Sequence, residues 1–275
     1  MAEPILETYH GNCHCGAFKF SVKLPELKQK GYLWVFPSSF VVEKGEGTLK
    51  DYLFSNKTTT HKFCPICGTS VMGQIHNEAQ TIGINVRRAL FINHESEFGF
   101  DTDGQVRTLR DFDEDKLEIT HSNGASVEPH YVPPNTSDVS DSTESAKCYR
   151  GSCHCGKITY DVQSKPLEEV GVLKCNCSIC SRNAALWIYP SEKDVELRGE
   201  DHLTVYRFAR KASGHAFCST CGVSVVNNFE HPEGKVIAFM DGKLPVNART
   251  INGIDLKAIK VNKANGKALA PLYEM

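Results

Sequence analysis

The sequence contains no apolar run approaching the roughly 20 residues that a membrane-spanning helix requires. Its opening residues, Met1-Ala2-Glu3-Pro4-Ile5-Leu6-Glu7, lack both the basic and the apolar region of a secretory signal, so export is not expected. A strong charge imbalance is missing as well. The 31 Lys and Arg residues stand against 33 Asp and Glu, a net charge of −2. That balance excludes a uniformly basic surface for nucleic acid and leaves room only for a local patch. No window sustains the 3.6-residue apolar stripe of a long helix. Cysteine, by contrast, is plentiful: 12 residues, clustered in pairs and one triplet. Without an export signal, that clustering reads as metal ligation in the reducing cytoplasm rather than as a disulfide framework.

The chain repeats itself. Gly11-Asn12-Cys13-His14-Cys15-Gly16 returns as Gly151-Ser152-Cys153-His154-Cys155-Gly156. Tyr32-Leu33-Trp34-Val35-Phe36-Pro37 returns as Ala185-Leu186-Trp187-Ile188-Tyr189-Pro190. His61-Lys62-Phe63-Cys64-Pro65-Ile66-Cys67-Gly68 returns as His215-Ala216-Phe217-Cys218-Ser219-Thr220-Cys221-Gly222. The tails match too: Val106-Arg107-Thr108, Asn123-Gly124 and Pro129-His130-Tyr131 mirror Ala248-Arg249-Thr250, Asn265-Gly266 and Pro271-Leu272-Tyr273. Between the copies lies a polar stretch without a core, the composition of a flexible linker. The expected organisation is a domain at 1–132, a linker at 133–147 and a second domain at 148–275.

Within each copy the pattern favours strands. Ala17 to Val22 and Ile158 to Val162 alternate with period two, as half-buried strands do. Leu186 to Tyr189, Leu203 to Phe208 and Lys235 to Met240 are short, rich in β-branched or aromatic residues, and bounded by Gly, Pro or charge. Helix is expected only as brief turns from Cys177 to Asn183 and around Ile254 to Lys257. The fold class is therefore mainly β, with zinc stapling small sheets.

In Cys153-His154-Cys155, residues two apart point the same way along an extended backbone, so both thiols face one ion and His154 faces away. Cys218-x-x-Cys221-Gly222 is a knuckle whose glycine suits a positive-φ turn. Together Cys153, Cys155, Cys218 and Cys221 make a tetrahedral four-thiolate site, and Cys13, Cys15, Cys64 and Cys67 make its counterpart. Cys175, Cys177 and Cys180 differ. Their C-x-C-x-x-C spacing places three soft ligands near one ion and offers no obvious fourth, the arithmetic of a zinc site with an open position.

These motifs, G-x-C-H-C-G, then C-N-C-S-x-C, then F-C-x-x-C-G, resemble the glutathione-dependent formaldehyde-activating enzyme family, to which centromere protein V is related. The resemblance spans both copies. It implies an Mss4-like fold of small coiled sheets. It also implies a division of labour: the outer cysteines hold structural zinc, while Cys175, Cys177 and Cys180 hold a catalytic zinc that meets glutathione as co-substrate. Copy one departs from the pattern, because Pro25-Glu26-Leu27-Lys28-Gln29-Lys30-Gly31 runs straight into Tyr32 and omits the triplet. It also carries an additional stretch, Arg88 to Asp101, between Val86-Arg87 and Val106-Arg107. A degenerate domain and an altered transcript both fit that arrangement.

Three thiolates around one zinc ion leave a charge of about −1, a weaker Lewis acid than a three-histidine site. Such a centre suits capture of a soft thiolate better than production of hydroxide. Asn176, Ser178, Ser181 and Asn183 are candidate hydrogen-bond donors to sulfur, and Lys174 and Arg182 flank the triplet. For Arg182 two readings stand, docking of a substrate carboxylate and an ordinary exposed arginine. His215, Trp187 and Tyr189 have counterparts in the copy without a triplet, which favours packing roles. Cys148 belongs to neither pattern. Two functions remain: a carbon–sulfur lyase or synthase of the S-(hydroxymethyl)glutathione synthase type, acting on a small-molecule thiol and a carbonyl compound, and a non-catalytic zinc scaffold. Neither nucleic acid nor membrane is expected as a partner.

Overall fold

The computed structural model describes residues 5–26, 29–30, 32–85, 118–119, 128–134, 146–209, 211, 213–228 and 238–273. They form two compact units. The first holds the described residues of 5–85, with 118–119, 128–130 and 181–184; the second holds 131–134, 146–180 and the described residues of 185–273.

In the first unit, alternation along Lys19–Leu24 buries Phe20 and Val22 and leaves Lys23 in solvent. This strand lies between Glu7–Asn12 and Phe40–Lys44, antiparallel to both. A five-stranded antiparallel sheet follows the order Tyr32–Val35, Ile82–Asn85, Ser70–Ile75, Thr59–Phe63, Lys50–Leu53. Short Gln29–Lys30 pairs in parallel with Glu118–Ile119.

The second unit has the same kind of three-stranded sheet, Lys147–Ser152, Thr159–Ser164 and Val195–Arg198. Its larger sheet has seven strands, in the order Leu203–Arg207, Gly214–Cys218, Ser224–Asn228, Val246–Asn247, Leu186–Ile188, Val172–Cys175, Val261–Ala264. All neighbours are antiparallel except the last two, which run parallel. Trp187, Tyr160, Phe217, Ile158, Leu167 and Ile179 form the bulk of its core. The helix Ser178–Asn183 connects Val172–Cys175 to its returning neighbour Leu186–Ile188, and Ala184 closes the reversal at φ +47°. The triplet therefore sits where two adjacent strands end.

The architecture is mainly β, in several small sheets, as the alternation predicts. Details differ. The expected strand at Lys235 to Met240 is a 3-10 turn over Ala238–Met240, and 235–237 lie outside the described residues. The brief turn expected around Ile254 to Lys257 is the 3-10 turn Leu256–Ala258. A single helical turn at Leu167–Val170, started by Pro166 and closed by Gly171 at φ +73°, is too short for any periodic signal. The stretch Arg88 to Asp101, residues 106–108 and 123–124, and linker residues 135–145 lie outside the described residues.

Asn85 Nδ2 donates to the Ser70 carbonyl at 3.1 Å, and Asn247 Nδ2 donates to the Ser224 carbonyl at 2.9 Å, each tying neighbouring strands together. On this criterion Asn85 is the counterpart of Asn247. The leading glycines of the repeated motif also share a role. Gly11 stands opposite Phe20 and Gly151 opposite Tyr160 in register, and a Cβ on either glycine would fall inside the facing ring.

Gly11→Ala and Gly151→Ala should each destabilise their unit by about 1–3 kcal/mol, the cost of overpacking. The second should cost more, because Tyr160 Oη is tied to Thr250 Oγ1 at 2.7 Å and the Thr250 carbonyl stands 2.5 Å from the new methyl. Urea unfolding of the two variants beside the parent measures both effects.

Candidate metal centres

Two clusters of four thiols are built alike. In the first unit Gly16 N donates to the Cys13 carbonyl at 3.0 Å and Gly68 N to the Cys64 carbonyl at 2.9 Å. The equivalent bonds in the second unit are Gly156 N to Cys153 O at 3.1 Å and Gly222 N to Cys218 O at 2.8 Å. Gly68 and Gly222 adopt φ +69° and +75°, the conformation the knuckle turn requires. Each turn delivers two sulfurs, and strand pairing brings the turns together. Cys13, Cys15, Cys64 and Cys67 place their sulfurs within 4.8 Å of one another, as do Cys153, Cys155, Cys218 and Cys221.

The separations fit a metal ion. Cys13–Cys15, Cys15–Cys64, Cys153–Cys155 and Cys155–Cys218 sulfurs lie 3.6 Å apart. A disulfide would bring sulfurs to about 2.05 Å. Zinc–sulfur bonds of about 2.3 Å arranged tetrahedrally give edges of about 3.8 Å. Backbone amides add to the fit: Phe18 N stands 3.3 Å from Cys13 Sγ, Ile158 N 3.3 Å from Cys153 Sγ, and Thr220 N 3.4 Å from Cys218 Sγ. Thiols this close cannot all ionise by themselves. S–H donation, led by Cys13 and Cys153, holds Cys67 and Cys218 far below the ordinary thiol range, while Cys64 and Cys221 are pushed far above it by the same partners. A cation at the centre removes that conflict.

The third group is assembled locally. The strand Val172–Cys175 supplies Cys175, and the chain then turns into the helix Ser178–Asn183, which carries Cys180 in its first turn. The sulfurs of Cys175, Cys177 and Cys180 converge within 4.8 Å, and among the described residues the group closes at three. Cys177 N donates to Cys175 Sγ at 3.4 Å. Cys180 is buried, whereas Cys175 and Cys177 are half-buried and form the accessible side. Donation from Cys177 and Cys180 pulls Cys175 down to about 2; Cys177 is pushed up to about 11 by Cys175, and Cys180 well up by Cys175 and Cys177.

Around these sulfurs the structure modifies several expectations. Trp187 is core, and in addition its Nε1–H donates to Cys180 Sγ at 3.2 Å. The hairpin register, Leu173 opposite Trp187, aims the indole at the triplet. A buried indole N–H needs an acceptor, which was the available signal, but Trp34 in the copy without a triplet masked it. Tyr189 packs half-buried against the same cluster, and burial, followed by the charges of Cys180, Cys175 and Cys177, pushes its phenol up. His215 is buried with its ring edge toward Trp187 at 5.8 Å, and desolvation pulls it down to about 4. His61 is likewise pulled down to about 4 by burial and stacks on Phe54. Both are neutral packing groups.

Asn176, expected to donate to sulfur, instead donates through Nδ2 to Asn265 Oδ1 at 2.9 Å. Arg182 is not an exposed arginine. It is 5% exposed and belongs to the first unit, where its Nη1 donates to the Asn12 carbonyl at 2.7 Å. His154 is buried, with its ring stacked on Tyr131 at 4.3 Å, and Cys148 lies half-buried in the strand Lys147–Ser152.

A mainly β chain thus carries two four-thiol clusters and one three-thiol cluster, each arranged as cysteine ligands that could hold a metal ion. Comparison with known proteins narrows the class for part of the chain. Residues 148–251 match the family described as glutathione-dependent formaldehyde-activating enzyme, a span that contains one four-thiol cluster and the triplet. A crystal structure of a Rhodobacter sphaeroides protein is similar at 25% identity over 42% of this chain and 99% of its own, with a TM-score of 0.34. No helix among the described residues is long and apolar enough to cross a membrane.

Elemental analysis of protein purified without chelator should find about three zinc ions per chain. Cys177→Ser should remove about one of them and leave the thermal melt nearly parental, whereas Cys218→Ser should strip the second unit of several kcal/mol because structural zinc binding is folding energy. Trp187→Phe keeps most of the core volume and removes the N–H. It should weaken the third ion by about 10-fold, the usual cost of losing a ligand's hydrogen-bond partner, and chelator competition measures it.

Proposed function

We propose that the second unit is a zinc-dependent carbon–sulfur lyase or synthase acting on a thiol adduct of formaldehyde or of a larger carbonyl compound, with glutathione as co-substrate. The observation that carries this reading is the convergence of Cys175, Cys177 and Cys180 as a set of three, half-buried on one side and anchored on the other. The family match over residues 148–251 supports the same substrate chemistry.

A zinc ion held by these three residues would supply a Lewis-acidic position with affinity for a soft thiolate. The chain's own contribution is positional. Cys180 is fixed by its helix and by the Trp187 indole, and Ile179, Ala185 and Trp187 close the inner side against water. Cys175 and Cys177 present the opposite side, where the co-substrate thiol would enter. His215 and Tyr189 stay neutral beside the sulfurs, so neither adds a competing charge. In the synthetic direction a C–S bond forms as the thiol sulfur adds to the carbonyl carbon, and the carbonyl oxygen takes up the proton the thiol has lost. The reverse reaction breaks that bond and returns the proton. Neither direction requires an oxidant or reductant. Arg182 has no part in this proposal, since its Nη1 is committed to a protein carbonyl. The first unit, whose sequence omits the triplet, is assigned a structural role.

The zinc-loaded protein should accelerate adduct formation from glutathione and formaldehyde over a protein-free control. Cys177→Ser, at confirmed occupancy of the four-cysteine sites, should reduce that rate to background. Parental turnover by this variant would overturn the assignment of chemistry to the triplet.

A further inference from the structure

The segment 261–267 lies beyond the family match, yet it packs directly on the three-cysteine group. Val261–Ala264 runs parallel to Val172–Cys175, with Ala264 in register beside Cys175. Asn265 then precedes a 3-10 turn, Gly266–Ala268. The first amides of such a turn have no carbonyl partner within it and must find acceptors elsewhere. Here both find the triplet loop. The Gly266 backbone lies against Cys175 Sγ, where its amide favours the thiolate, and Lys267 N donates to Asn176 Oδ1 at 2.8 Å.

Asn176 stands between two of the ligands and is held to this segment at three points. Its N donates to the Ala264 carbonyl at 3.1 Å, its Nδ2 to Asn265 Oδ1 at 2.9 Å, and its Oδ1 accepts from Lys267. Gly266 fills the remaining gap. A Cβ there would collide with Cys175 Sγ and lie 3.0 Å from Cys177 Cβ. Gly266 is not among the residues at positive φ, so glycine is required by space and not by backbone conformation.

We propose that Gly266 is a positioning residue of the three-cysteine metal centre, pressed against Cys175 and held there by the clamp that Asn176 forms with Asn265 and Lys267. The proposal rests on the triplet holding a metal ion, but not on which reaction follows. Alanine is free to adopt the backbone of Gly266, so its methyl group tests the contact with sulfur directly.

The experiment uses the full chain loaded with zinc, with chelator competition for the third ion and thermal melting as readouts. Gly266→Ala should weaken the third ion at least 10-fold while the two four-cysteine ions and the melt stay parental. Asn265→Ala should weaken it several-fold, and Asn265→Asp, which keeps the oxygen that accepts from Asn176, should restore it. In the cobalt(II)-loaded protein, the sulfur-to-metal charge-transfer absorption should shift for Gly266→Ala and not for Asn265→Asp. Parental affinity in Gly266→Ala would overturn the proposal, as would identical behaviour of Asn265→Ala and Asn265→Asp. That pair decides the matter if Gly266→Ala does not fold. A parent chain that holds only two ions would remove the metal reading of the triplet itself, a failure distinct from a parent with three ions whose third is indifferent to residue 266.

Discussion

Crowded sulfur is the constraint on which the rest of this structure depends. Thiols 3.6 Å apart in groups of four repel when ionised and bond poorly when protonated, a conflict that a cation at the centre of each cluster would remove. Metal binding would offset the cost of ordering such a group. That in turn would let short strands make a fold. Strands of two to six residues in several small sheets bury limited apolar area, and the clusters link segments as distant as Cys15 and Cys64. Metal energy at such clusters would be folding energy.

The same physics gives the triplet a different character. With three sulfurs instead of four, the group is tied by local chain, and its neighbours supply what a fourth ligand would otherwise supply in rigidity. Trp187 restrains Cys180 from the core side, and the Cys177 amide restrains Cys175 from within the loop. Cys175 and Cys177 are half-buried, where Cys180 is buried. The four-thiol and three-thiol groups thus use one ligand type, distinguished by number and by burial.

What could be read from the sequence was whatever is local. The cysteine spacings announce themselves because a two-residue step on a strand and a knuckle turn each fix two sulfurs without help from the rest of the chain. Alternation along Thr159–Ser164 and Lys19–Leu24 is equally local. Residues whose reasons lie across the fold were opaque. Gly11 and Gly151 look like turn glycines until Phe20 and Tyr160 are seen opposite them. Trp187 looks like one more core aromatic until the hairpin register brings it to Cys180. Asn265-Gly266 was visible as a repeated dipeptide, but its meaning depends on a parallel pairing that no periodicity encodes. The 3-10 turn at Ala238–Met240 reads as strand because β-branched and aromatic composition alone does not exclude a tight turn.

The clamp between Asn176 and Asn265 joins residues 89 positions apart. Ribosomal synthesis proceeds in one direction, so the three thiols emerge well before the amide and the glycine that press on them. Any ion captured on Cys175, Cys177 and Cys180 at that point would meet loosely arranged ligands. The cage would reach its final size only when the strand Val261–Ala264 adds beside Val172–Cys175.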